Sequence, residues 1–321
     1  MLGGRGVLAV LCTTLFLLSS TPIMGAQDGD SAYVRAESYV VVEQDNVSHD
    51  STAYTQGLEF YGDRLFESTG KYGNSTLREV NHSTGEIIRS INLDASEFGE
   101  GMTFVGDEII QLTWKEGIAY RYDMETFEVI ANYSYGGEGW GLAYDGTHLI
   151  MSNGSNVLQF RNASTFELES TLNVTLNNES ISRINELEIV NGLLMANIYQ
   201  TEEIVTIDLV SGVVVEHIDA SGLKPEGGGV LNGIAFDSTT QSLWITGKYW
   251  SNMYNVTFTV PEHPPLPEPE PEVESPESTA SSVDPIYSEI ILAILLIAVV
   301  ILITMTLKDG GRNPRNGGPS K

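Results

Sequence analysis

Cysteine is nearly absent from this sequence: Cys12, in an apolar stretch near the N-terminus, is the only one. Read as an apolar residue of a cleaved leader, it leaves the rest of the chain with no disulfide. Basic residues are also scarce, 16 Lys and Arg against 43 Asp and Glu, for a formal net charge of -27. That balance excludes a phosphate backbone as partner, so nucleic acid is not expected. His49, His82, His148, His217 and His263 are scattered, with no pair at ligand spacing. With no thiol available either, neither a metal nor another cofactor is called for. A phosphate-cradling loop is missing as well, since Gly227-Gly228-Gly229 precedes a strand pattern rather than a helix.

The two ends are the parts rich in long apolar runs. Arg5, the stretch Val7 to Leu18 and small residues up to Ala26 follow the order of a secretory signal peptide, expected over 1–26. Near the other end, Ile290 to Leu307 carry no charge; as a helix they reach roughly 27 Å, enough for a bilayer core. A transmembrane helix is expected over 287–307. The short tail 308–321 holds Lys308, Arg312, Arg315 and Lys321, which puts it in the cytoplasm by the positive-inside rule. Prolines interleaved with glutamates make 261–286 an extended extracellular stalk. The expected localisation is therefore the cell membrane, single-pass, with the body 32–260 outside. Sequons at Asn46, Asn74, Asn81, Asn132, Asn153, Asn162, Asn173, Asn178 and Asn255 fit a glycosylated exterior.

Within the body one pattern recurs: Gly57-Leu58-Glu59-Phe60, Gly101-Met102-Thr103-Phe104, Gly141-Leu142-Ala143-Tyr144, Glu186-Leu187-Glu188-Ile189 and Gly233-Ile234-Ala235-Phe236. The spacings are 44, 40, 45 and 47 residues. Each copy alternates apolar and other residues as a strand does, then meets a turn and a second apolar strand. An outer hairpin signal follows in four copies, at Thr84-Gly85, Thr126-Phe127, Thr165-Phe166 and Ser211-Gly212. The fifth copy is one strand short, and Tyr39 to Glu43 near the N-terminus can supply it. A period of this length without helical patterning predicts an all-β, five-bladed propeller closed by an N-terminal strand in the last blade.

In such a ring the residue before each anchor and the residue thirteen beyond it meet at one mouth. The first set is Gln56, Glu100, Trp140, Asn185 and Asn232; the second is Gly70, Trp114, Gly154 and Tyr199, with Lys248 as the counterpart in the longer fifth copy. These positions differ from copy to copy while the apolar ones agree, so the mouth is expected to be functional. One carboxylate, several amides, large aromatics and one cation suit a small polar ligand.

At these residues the sequence resembles the plant-type glutaminyl-peptide cyclotransferases. The segments that carry the resemblance include Tyr54-Thr55-Gln56-Gly57-Leu58, Phe98-Gly99-Glu100-Gly101-Met102-Thr103, Gln111-Leu112-Thr113-Trp114 and Gly139-Trp140-Gly141-Leu142-Ala143. They continue in order through Asn185-Glu186-Leu187-Glu188, Ala196-Asn197-Ile198-Tyr199, Leu231-Asn232-Gly233-Ile234-Ala235 and Thr246-Gly247-Lys248. The resemblance implies conversion of N-terminal Gln of peptides or proteins, or of free Gln, to pyroglutamate with release of ammonia, and an acid/base carboxylate needs no metal for this. The resemblance puts the acid/base role on Glu100 and pocket roles on Gln56, Phe98, Trp114, Trp140, Asn185 and Lys248. Tyr199 stands where the plant enzymes carry Trp, and Tyr54 where they carry Phe. The expected catalytic set is Glu100, Asn185 and Lys248, and the expected substrate-binding set is Gln56, Phe98, Trp114, Trp140, Tyr199 and Asn232. A non-catalytic cell-surface binding propeller stays open as the alternative, and neither the physiological substrate nor the oligomeric state follows from the sequence.

Overall fold

The computed structural model describes residues 35–261. The expected signal peptide, transmembrane helix and tail, and all of the stalk but its first residue, lie outside them.

The fold is all-β. In chain order, β1 spans Glu37–Ser48. Repeat 1 follows as β2 (Thr55–Tyr61), β3 (Arg64–Thr69), β4 (Thr76–Val80) and β5 (Ile87–Asn92), and repeat 2 as β6 (Gly99–Val105), β7 (Glu108–Thr113), β8 (Ile118–Asp123) and β9 (Val129–Ser134). Repeat 3 is β10 (Leu142–Tyr144), β11 (His148–Met151), β12 (Val157–Asn162) and β13 (Leu168–Asn173). After a short hairpin, β14 (Thr175–Leu176) and β15 (Glu179–Ser180), repeat 4 is β16 (Ile184–Val190), β17 (Leu193–Ile198), β18 (Glu203–Ile207) and β19 (Val214–Asp219). Repeat 5 has three strands, β20 (Leu231–Asp237), β21 (Ser242–Gly247) and β22 (Asn252–Thr259). Among the described residues the single helical element is one 3₁₀ turn, Ser221–Leu223.

Repeats 1, 2 and 3 are separate four-stranded antiparallel sheets. The sequence leaves repeat 5 one strand short, and β1 supplies it: Val40 to Ser48 pair antiparallel with β22. The same strand does more than that reading foresaw. Its first residues, Glu37 to Val40, pair in parallel with Glu216 to Asp219 of β19, so repeats 4 and 5 share one eight-stranded sheet. This covers edges that would otherwise stay open to other chains.

The outer hairpins form for a local reason. Asn81, Asp123, Asn162 and Asp208 each accept, through Oδ1, the backbone N–H groups two and three residues on. This is the Asx turn that such short polar side chains favour. The turns end on left-handed residues, Gly85 and Gly212 in two copies and Phe127 and Phe166 in the others.

The core is divided among the repeats. Five apolar clusters lie between consecutive repeats, from Phe66 and Leu77 against Met102 and Ile109, round to Ala235 and Trp244 against Leu58 and Phe60. The first strands touch in a closed cycle as well, β2 with β6, β6 with β10, β10 with β16, β16 with β20, and β20 with β2. The anchor glycines permit that approach. A Cβ on Gly101 would stand 2.6 Å from the Leu142 nitrogen, and one on Gly141 would collide with the Asn185 carbonyl. Glu186, the one anchor that is not glycine, bridges instead: its carboxyl accepts Leu58 N–H at 3.4 Å and Ile234 N–H at 2.9 Å.

An ionic network lies where repeat 1 meets the closing strands. Glu67 is fully buried and receives Arg78 Nε at 2.8 Å, His49 Nε2 at 3.0 Å and the Thr55 hydroxyl at 2.7 Å. Arg78 also reaches Asp50 at 2.9 Å, and His49 Nδ1 lies 2.8 Å from the Trp250 carbonyl oxygen. Burial pushes the Glu67 carboxyl up, but Arg78 and His49 outweigh it and hold it down at about 2.

Candidate active site

One cavity of about 250 Å³ opens where the first strands begin and the second strands end. Tyr54, Gln56, Lys71, Phe98, Glu100, Trp114, Trp140, Asn185, Tyr199 and Lys248 line it. Eight of the nine residues expected at the site are therefore brought together here. Asn232 is fully buried behind the lining. Its Oδ1 accepts Asn185 Nδ2 at 2.6 Å, while its own Nδ2 donates to Gln56 Oε1 at 3.2 Å and to the Thr55 carbonyl at 2.9 Å. It fixes the two amides that face the cavity without lining the cavity itself.

The walls are built by rings set edge to face. Phe98 meets Trp114 at 5.6 Å and Tyr54 at 6.0 Å, and Trp140 meets Tyr199 at 5.3 Å. The two glycines of the thirteen-residue set make room for them. A Cβ on Gly154 would stand 2.6 Å from the Trp140 ring, and one on Gly70 would run into Phe98. Small residues are thus required at these positions because large ones lie over them.

Glu100 is 4% exposed. Burial drives its carboxyl well above the usual carboxylate range; Lys248 pulls the other way, and Glu138 and Glu116 add to the rise. Lys248, 3% exposed, lies 4.5 Å from the centre of the Tyr54 ring and 5.0 Å from that of Tyr199. Burial lowers its ammonium to about 8, against the attraction of Glu100 and with a further push from Lys71. A raised acid beside a lowered base, both shielded by aromatic rings, is an arrangement suited to proton transfer near neutrality. Burial, helped by the Tyr199 hydroxyl, pushes Tyr54 up to about 12, so it stays a neutral phenol.

The sequence profile of the glutamine cyclotransferase family matches residues 11–258. The chain belongs to that family. It is 35% identical over 217 residues to the glutaminyl-peptide cyclotransferase of Arabidopsis thaliana, covering 65% of this chain and 68% of the relative. The crystal structure of Myxococcus xanthus glutaminyl cyclase superposes with a TM-score of 0.67 at 32% identity, over 71% of this chain and all of that one.

Two residues at the site are named neither by repeat position nor by the resemblance. Lys71, next to Gly70, lies 3.9 Å from the centre of the Tyr54 ring. Glu138, two residues before Trp140, accepts the indole N–H groups of Trp114 and Trp140 at 2.8 and 3.0 Å. The signal available in the sequence was adjacency to mouth positions, which does not say where a side chain turns. Glu59, Glu186 and Glu188, on the first strands, are also enclosed, and burial pushes all three carboxyls up. Among the described residues no three His, Cys, Asp or Glu side chains are grouped so that they could hold a metal ion.

Proposed function

We propose that this cavity cyclises N-terminal glutamine to pyroglutamate with release of ammonia, and that Glu100 carries the proton. The chain is in this reading a glutaminyl-peptide cyclotransferase, in keeping with its family and with the activity named for its relatives. The observation that carries the assignment of roles is a single enclosed carboxyl, raised by burial, sharing an aromatic cavity of about 250 Å³ with the buried Lys248.

The substrate's α-amine attacks its own γ-carboxamide carbon, so holding the folded conformer does much of the work. Ionised Glu100 takes a proton from the amine as the C–N bond forms. The tetrahedral oxyanion is met by the Lys248 ammonium and the Asn185 amide. Glu100 then returns the proton to the departing nitrogen, the C–N bond to it breaks, and ammonia leaves. Gln56, held by Asn232, orients the substrate backbone, and the rings of Phe98, Trp114, Trp140 and Tyr199 keep water away.

The cyclic contacts of the five first strands and the five clusters between repeats support a five-bladed propeller with this cavity at one mouth. The apolar runs at the two ends support export and a membrane anchor, with the stalk holding the body outside the cell. All the sequon asparagines are at least partly exposed, which fits glycosylation.

The test is the full chain in detergent with Gln-initiated dipeptides, following ammonia and the mass lost with it, with a chelator and Glu100→Gln as controls. Turnover that survives the chelator and disappears in the variant is expected. A folded protein inert toward every Gln peptide would sink the reading.

A further inference from the structure

Glu138 sits in the loop Gly136–Gly139 between β9 and β10, and its carboxylate does three things at once. Its Oε2 accepts the Trp114 indole N–H, from the end of the second strand of repeat 2, and the Trp140 indole N–H, from the start of repeat 3. Its Oε1 lies 3.6 Å from Lys115 Nζ, and that ammonium in turn lies 3.8 Å from the centre of the Trp114 ring. We propose that Glu138 is a positioning residue for the cyclisation, locking two indoles from neighbouring repeats into one wall with both N–H groups turned away from the substrate. The proposal rests on the cyclotransferase reading of the cavity.

An indole nitrogen is a donor only. Left without this acceptor, each N–H is free to bind water or, in an occupied cavity, the substrate's carboxamide oxygen. Two donors competing for that oxygen would draw it away from Lys248 and Asn185. With both N–H groups bound to one carboxylate, the rings offer only apolar surface, and a carbonyl oxygen is directed to the amide and ammonium. Charge-assisted bonds of this kind are also stronger than neutral ones, which suits a wall that must not move by an ångström. Burial pushes the Glu138 carboxyl up, but the indole donors and Lys115 outweigh it, so it stays ionised.

The same negative charge acts on Glu100. The charged groups facing Glu100 are Lys248, which favours ionisation, and Glu138 and Glu116, which oppose it. Glu138 itself is faced by Trp114, Trp140 and Lys115. Removing its charge while keeping an acceptor therefore lowers the pH at which Glu100 ionises.

The experiment compares the full-length protein with E138A and E138Q. Steady-state cyclisation of a Gln dipeptide is measured across pH, with acrylamide quenching of tryptophan and thermal unfolding. Of the four tryptophans, Trp244 and Trp250 are buried while Trp114 and Trp140 are partly exposed, so quenching reports on the wall. E138A is expected to raise KM about tenfold, with a smaller loss in kcat, and to increase quenching. E138Q, whose amide oxygen still accepts, should keep KM and quenching near those of the parent and move the acid limb of kcat/KM to lower pH. A fall in thermal stability of E138A without a change in KM or quenching would mean only loop support and overturn the proposal. So would an E138Q as impaired as E138A in both readouts. If no Gln peptide is turned over by the parent protein, the cyclotransferase reading fails, and quenching alone still decides whether Glu138 holds the wall.

Discussion

Glu67 and Glu100 lie on neighbouring repeats, both enclosed, and burial pushes both carboxyls up. Glu67 faces a guanidinium, an imidazole and a hydroxyl, each within hydrogen-bond distance, and is held down at about 2. Glu100 faces aromatic walls, one ammonium and two further carboxylates, and stays well above the usual range. The same side chain at the same depth becomes a permanent anion in one place and an exchangeable acid in the other. The difference is made by the number and sign of the partners, since desolvation is common to both. It also separates their roles: the first joins repeat 1 to the closing strands, and the second is the group proposed to give and take the proton.

The sharpest way to break that contrast is Glu100→Gln. The kcat for Gln dipeptides should fall by about 10²–10⁴ while thermal unfolding shows no loss of stability, because a neutral amide replaces an unfavourably buried acid. Glu67→Gln should do the reverse. Leaving Arg78 and His49 without their shared carboxylate should cost about 3–5 kcal/mol in denaturant unfolding, with turnover per folded molecule unchanged.

Lys248→Met tests the partner that makes Glu100 usable at all. The loss of one oxyanion donor should lower kcat by about 10²–10³. The acid limb of kcat/KM should also move to higher pH, since the only attraction favouring ionised Glu100 is gone, and the alkaline limb set by Lys248 near 8 should disappear.

The pH dependence of stability should show the two classes of buried carboxyl separately. Glu67, lowered in the fold, contributes stability above the ordinary glutamate range that is lost as pH falls toward about 2. Glu59, Glu186 and Glu188, raised in the fold, contribute fully below the ordinary range, and that contribution is lost as pH climbs above it. Glu188→Gln should therefore gain about 1 kcal/mol or more at mildly alkaline pH and nothing in acid, by thermal unfolding across pH. The smallest effect is expected from Tyr199→Trp, which keeps the ring against Trp140 and changes kcat/KM by about threefold, or about 0.6 kcal/mol.

Much of the fold was legible because it is repeated. Gly57, Gly101, Gly141 and Gly233 mark the first strands, since a Cβ there meets close neighbours, backbone of the next repeat in the first three cases. The exception, Glu186, was visible as an anomaly, and its bridging role was not. The missing strand of repeat 5 could be counted, but its second pairing with β19 could not, because parallel pairing leaves no turn in the sequence. At the mouth, spacing found seven of the ten lining residues and the resemblance added Phe98 and Tyr54. Lys71 and Glu138 lie one or two residues off those positions, and Asn232, which fits the position, turns away behind Asn185 and Gln56.

By itself the sequence determined the strand alternation, the hairpin turns, the fivefold spacing and the types of residue gathered at one mouth. Each of these depends on neighbours a few residues apart, through side-chain alternation and local hydrogen bonds. Only the tertiary structure decided which carboxyls are charged, which amide faces the cavity and which acid holds the indoles. Those outcomes depend on the groups that remote repeats bring within a few ångströms, and on how much water they exclude, which no local pattern encodes.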